Sequence, residues 1–109
     1  MIDLSRVTII CVGRIKEKYW KDAIDEYTKR LSRYCRLEIV EVQDEKTPEN
    51  APSAIEDQIR EKEGVRISKY LDPQAAVFAL AIEGKKFDSP GFARQISRVG
   101  VNGQSHIQF

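Results

Sequence analysis

Apolar residues recur along this chain with two different periods, and the switches between them predict its elements. Val7-Thr8-Ile9-Ile10-Cys11-Val12 is a nearly continuous apolar run ending at Gly13, the pattern of a strand buried on both faces. Trp20, Ala23, Ile24, Tyr27, Leu31 and Tyr34 follow at helical spacing and predict one amphipathic helix over 16–34. Asp25 to Lys29 and Glu26 to Arg30 are acid-before-base pairs four apart on its wet face. Leu37 to Val42 is a second strand, and Glu38 and Glu41 within it place it toward a sheet edge.

A polar connection with two prolines, Asp44 to Pro52, leads to Ser53-Ala54-Ile55-Glu56, which matches a capping box. The helix it opens runs to about Tyr70, with Gly64 weakening its middle and Asp72-Pro73 closing it. Ala75 to Ile82 is again almost wholly apolar and predicts a third strand. Asp88 or Ser89 caps a third helix with Pro90 in its first turn, and Phe92, Ile96 and Val99 form its apolar stripe. Gly100 and Gly103 end that helix, and Gln104 to Phe109 opens a fourth strand in which Ile107 and Phe109 alternate with polar neighbours. The order β-α-β-α-β-α-β predicts an α/β fold: an open parallel sheet with right-handed crossovers and helices on both faces. Residues 1–6 read as a short leader. The whole of 1–109 is expected to form a single α/β domain, and an incomplete one, since the last strand is interrupted where function would sit in a parallel sheet.

Composition narrows the class. The chain has no apolar run long enough for a membrane span, and Val7 to Val12 is too short and too poorly flanked to be a signal peptide. Two cysteines, one inside a strand and one after a helix, point to a reducing, cytoplasmic setting and against a disulfide or metal site. The net charge of +1 hides an uneven distribution. Residues 14–36 carry eight Lys/Arg against four Asp/Glu, and residues 37–63 carry nine acids against three bases. The basic first helix is able to meet phosphates, although a solvated amphipathic face predicts the same counts.

Candidate chemistry is sparse. Gly13 lies between strand and helix, where a phosphate loop would sit, but Val12-Gly13-Arg14-Ile15-Lys16 matches no dinucleotide or P-loop motif and reads as a tight turn. Leu80-Ala81-Ile82-Glu83-Gly84-Lys85-Lys86 closes the third strand on the edge where parallel sheets place ligands. Free backbone groups there can read an adenine edge; the plainer reading is a turn with Gly84 at positive φ and two solvated lysines. His106 is the only histidine, has no cysteine or carboxylate near it in sequence, and reads as an ordinary strand position. Tyr19 and Trp20 can stack on a nucleobase, but Trp20 also opens the apolar stripe of the first helix, where packing claims it. No Ser/His/Asp grouping and no spaced pair of carboxylates is visible, so no catalytic residue is assigned.

Taken in order, several segments form a series. These are Val12-Gly13-Arg14-Ile15-Lys16-Glu17-Lys18-Tyr19-Trp20, Glu26-Tyr27-Thr28-Lys29-Arg30-Leu31, Glu41-Val42-Gln43-Asp44-Glu45-Lys46 and Glu61-Lys62-Glu63-Gly64. Leu80-Ala81-Ile82-Glu83-Gly84-Lys85 and Gly103-Gln104-Ser105 complete it. The series resembles the ribosomal RNA large-subunit methyltransferase H family of the SPOUT (α/β-knot) superfamily, from about Val7 to Phe109. The resemblance implies S-adenosylmethionine as cofactor and methylation of a pseudouridine at N3 in large-subunit (23S) rRNA, within the assembled ribosome, by a cytoplasmic homodimer. It carries over one cofactor-contacting position, Leu80, which stands at the family's strand-end leucine. The family's knot, most of its cofactor pocket and its basic C-terminal residues lie beyond the matching stretch, so the resemblance implies the N-terminal part of such a domain, with the knot expected to be absent from it. The expectation for the chain alone is negligible cofactor binding and no methylation. The alternative is a non-catalytic ribosome- or RNA-binding module on the same fold; a small flavodoxin-like nucleotide domain is a third reading.

Overall fold

The computed structural model describes residues 6–109, so most of the predicted leader lies outside the described residues. Four strands and three helices alternate as β1 (Arg6–Val12), α1 (Lys18–Leu31), β2 (Arg36–Val42), α2 (Ser53–Ser68), β3 (Ala76–Val77), α3 (Ser89–Val101) and β4 (His106–Gln108). The sheet is parallel throughout, in the order β2-β1-β4-β3, so β2 is an edge strand as its two glutamates predict. β1 pairs with β2 along its whole length, from Arg6 opposite Arg36 to Val12 opposite Val42. With β4 it pairs over three residues, Arg6 to Thr8 against His106 to Gln108.

That register sorts the side chains. Arg6, Thr8, His106 and Gln108 share one face, and Val7, Ile107 and Phe109 share the other. The end of α2 lies against the first face, where the Gln108 side chain bonds the backbone at Tyr70 and Asp72. α3 lies against the second, with the Phe92 ring 5.9 Å from that of Phe109. Right-handed crossover puts α1 on the same side as α3, which gives helices on both faces. Ile107 is the one large side chain among the described residues that is fully buried.

Four local expectations change in the structure. β3 covers Ala76–Val77 rather than 75–82, because its partner β4 offers Ile107 and Gln108, and the Phe78 amide makes the last bond, to Gln108 O at 2.8 Å. Residues 79–82 have no strand beside them among the described residues, and apolar sequence alone does not hold a strand without a ladder. The Ser53–Glu56 capping box does not form: Pro52 takes the cap position, and its carbonyl accepts from the amides of Ile55 and Glu56. Gly84 is not at positive φ; Gly13 and Gly103 are, at +86° and +87°. Trp20 is 55% exposed instead of packed. α3, by contrast, starts as read, with the Asp88 carboxylate accepting from the Gly91 amide at 2.8 Å.

The helices cover the sheet thinly. The chain exposes 9023 Å², whereas a folded protein of its mass exposes about 6,200 Å². Its radius of gyration is 16.0 Å, against about 13 Å for a compact domain of this length. No residue of α1 or α2 is buried.

Candidate cofactor site

The carboxyl edge of the sheet is built by chain that has just left it. After Val77, Phe78 stays anchored through its amide and through its ring, which stacks on Phe109 at 5.5 Å. The following residues then turn away, closed by a bond from the Gly84 amide to Ala81 O at 3.0 Å. A side chain at Gly84 would bring its Cβ to 3.0 Å from that carbonyl, so the turn tolerates glycine best. Between this loop and the first turn of α3 lies a concavity of about 520 Å³. Leu80 and Ala81 form its loop wall and Phe92 and Ala93 its helix wall.

The concavity has the chemistry of a nucleoside site on one side only. Among the described residues, Ala79 and Leu80 have no hydrogen-bond partner for their backbone amides and carbonyls, which leaves those groups available to an incoming heterocycle. Leu80 is 79% exposed and stands at the rim as an apolar surface without a cover. Lys85 is drawn over the Phe87 ring, its Nζ 5.4 Å from the centroid, and adds positive charge beside the loop. The Asp88 carboxylate is already committed to capping α3. Among the described residues no group of three or more His, Cys, Asp or Glu side chains is placed to hold a metal ion.

Gly13, the other sequence candidate on this edge, donates its amide to Val42 O at 2.8 Å, so the turn is closed by protein and forms no phosphate cradle. Tyr19 and Trp20 lie just beyond that turn, on the first turn of α1. Both are exposed, with ring centroids 5.3 Å apart.

At the opposite, amino edge the structure assembles a row that sequence reading missed. His106 Nε2 is 3.0 Å from Thr8 Oγ1, and its Nδ1 is 3.1 Å from Asp72 Oδ2. Asp72 also accepts from the Gln74 amide. That bond first, and the His106 contact second, hold the Asp72 carboxyl below the usual range. Beside them Gln108 Nε2 donates to Tyr70 O at 2.7 Å and its Oε1 accepts from the Asp72 amide at 2.8 Å. The connectivity is that of a nucleophile–base–acid triad, which the sequence reading did not expect. Thr8, however, is only 2% exposed, and its strand is paired on both sides, so no amide is free to stabilise an oxyanion. The row works as a latch that ties the α2–β3 connection to the sheet. The one available signal was period-two polarity: Thr8, His106 and Gln108 are polar positions in otherwise apolar strands, and the register places them on one face.

A second tie holds the start of the β2–α2 connection against α2. Arg66 donates to Gln43 O at 2.9 Å and pairs with Glu45, while Glu63 accepts from the Glu45 amide at 3.0 Å. Burial raises both thiols above their ordinary pKa, with Glu41 adding to the effect at Cys11. Both cysteines are free. No helix among the described residues is long and apolar enough to cross a membrane.

Comparison with known proteins adds a consistent picture. Residues 5–109 match the sequence model of a family described as predicted SPOUT methyltransferase. A protein of Bifidobacterium adolescentis named ribosomal RNA large subunit methyltransferase H is 56% identical over 103 residues. A protein of Clostridium kluyveri with the same name is 53% identical over 103 residues, and one of Clostridium perfringens is 50% identical. Each alignment covers 94% of this chain and 65% of the relative, so the chain spans just under two thirds of the length of the relatives it matches.

Proposed function

The chain belongs to the SPOUT methyltransferase family, and from that premise we propose that it serves the S-adenosylmethionine-dependent methylation of large-subunit ribosomal RNA. The finer reading is transfer to N3 of a pseudouridine in the assembled ribosome, by a cytoplasmic homodimer. The family match and the printed names of the relatives support the reading at the level of reaction and substrate class. The large uncovered surface supports assembly with further polypeptide.

The observation that carries the donor site is the concavity at the carboxyl edge, with unpartnered backbone groups at Ala79 and Leu80 on its wall. Its volume lies within the range of small-molecule sites, and its mix of apolar rim and free amides suits an adenosine. S-adenosylmethionine, when bound, supplies a methyl group activated on a sulfonium. Leu80 would pack against its apolar face, and the backbone at 79–80 would read the heterocycle edge. Phe78, pinned between Gln108 and Phe109, holds that wall in place. No catalytic base is assigned among the described residues.

The test is methyl transfer from isotopically labelled S-adenosylmethionine by the polypeptide as its source cell makes it. Isolated large subunits and whole ribosomes serve as substrates, and the digested nucleosides are read by mass spectrometry. Label in a methylpseudouridine of large-subunit rRNA is the expected result. Saturable donor binding with no label in rRNA would overturn the substrate, and absence of donor binding would overturn the reading itself. Salt-dependent rRNA binding without donor binding would identify a non-catalytic module instead.

A further inference from the structure

The first turn of α1 is unusual in carrying both exposed rings and unpaired charge. Tyr19 is 65% and Trp20 55% exposed, and their rings make a tilted pair at 5.3 Å. Arg14, Lys16, Lys18 and Lys21 flank them in sequence, all exposed, and none of the four takes part in an ion pair among the described residues. Glu17 and Asp22 are the only acids between residues 14 and 22. Four residues separate the turn from Gly13, which follows β1, and it so stands on the carboxyl edge of the sheet, as the concavity at Leu80 does.

We infer that this turn is a stacking platform for an unpaired stretch of RNA, with Tyr19 and Trp20 receiving bases and the four cations tracking the phosphates. The inference rests on the rRNA reading above and adds the place and mode of contact. Aromatic faces accept any base, and neighbouring Lys/Arg supply the sequence-independent part of the affinity. Farther along α1 the free charge thins out: Arg30 is paired to Glu26 and lies 5.7 Å from the Tyr27 ring, which leaves Lys29 as the one unpaired cation of the last turn among the described residues. A free cationic turn with exposed rings complements a polyanion carrying flat bases better than it complements an apolar polypeptide.

Trp20 is the only tryptophan of the chain, so its emission reports on this turn alone. The experiment is titration of the full chain with a single-stranded oligoribonucleotide of mixed sequence, repeated from 50 to 200 mM salt. Stacking quenches Trp20. Four phosphate contacts on a single strand weaken binding by about 50-fold over that salt range, and the Lys16→Ala/Lys18→Ala double variant reduces the fall to about 7-fold. Tyr19→Ser, at an exposed position, weakens binding by roughly fivefold or more while leaving the circular dichroism unchanged.

The platform is overturned by no quench, by a salt dependence unchanged in the double variant, or by a blue shift of Trp20 that grows with protein concentration without RNA. The last would show that a second polypeptide covers the turn. Methyl transfer that persists in Tyr19→Ser without loss of RNA affinity would likewise remove the platform and leave the rRNA reading intact. Quenching by RNA in the polypeptide as its source cell makes it, with no methyl transfer by that polypeptide, would support the platform and overturn the enzyme reading.

Discussion

Gln108→Leu is the sharpest test of how the amino-edge latch supports the site. The side chain is 2% exposed, donates to Tyr70 O at 2.7 Å and accepts from the Asp72 amide at 2.8 Å, so it splints the backbone on which β3 begins. Each bond contributes about 1 kcal/mol net, and the orphaned partners cost more where water cannot replace them. Tyr70 is 52% exposed, so water recovers part of the loss at its carbonyl. The variant is therefore expected to lose about 2 kcal/mol. With a urea m-value of about 1.5 kcal/mol/M, the midpoint falls by about 1.3 M. Hydrogen exchange supplies the local readout: the Asp72 amide should be protected in the parent protein and exchange freely in the variant. Because Phe78 is anchored to the carbonyl of the same residue, loosening this end should also loosen the wall at Leu80. A midpoint shift under about 0.3 M, with Asp72 exchange unchanged, would refute the latch.

Three further outcomes are expected. Ile107→Ala should cost about 2–5 kcal/mol, since Ile107 is fully buried at the centre of the sheet; thermal unfolding by circular dichroism checks it, and a loss under 1 kcal/mol would mean the neighbours collapse into the gap. Because the Asp72 pKa is lowered by folding, its contribution is present above the ordinary carboxylate pKa of about 4 and is lost as pH falls through the lower folded value. Urea midpoints between pH 5.5 and 3 should therefore drop faster in the parent protein than in Asp72→Asn, and parallel curves would contradict this. Cys11 and Cys35 should alkylate more slowly at pH 7.5 in the folded protein than once unfolded, because partial burial lowers their thiolate fraction and access; equal rates in the two states, followed by intact mass, would exclude it.

The sequence by itself determined the order of elements and the character of the best-formed ones. β1 and β2 carry enough consecutive apolar residues to be found without knowing their partners, and their observed limits differ from the predicted ones by a single residue. The Asp88–Pro90 start of α3 is a contact between residues three apart, which sequence spacing encodes directly. Family membership was legible too, because it depends on the joint order of short segments.

Tertiary structure decided everything that needs a neighbour distant in the chain. The run 75–82 is apolar enough for a strand, yet only Ala76–Val77 becomes one, since a ladder requires a partner and β4 supplies one for so short a span. Trp20 begins an apolar stripe, but a stripe is buried only where another surface meets it. His106 looked idle because its partners, Thr8 and Asp72, lie 98 and 34 residues away. Periodicity is a local property and reports which face a residue takes; burial, pairing and proton-sharing are set by what the fold brings to that face.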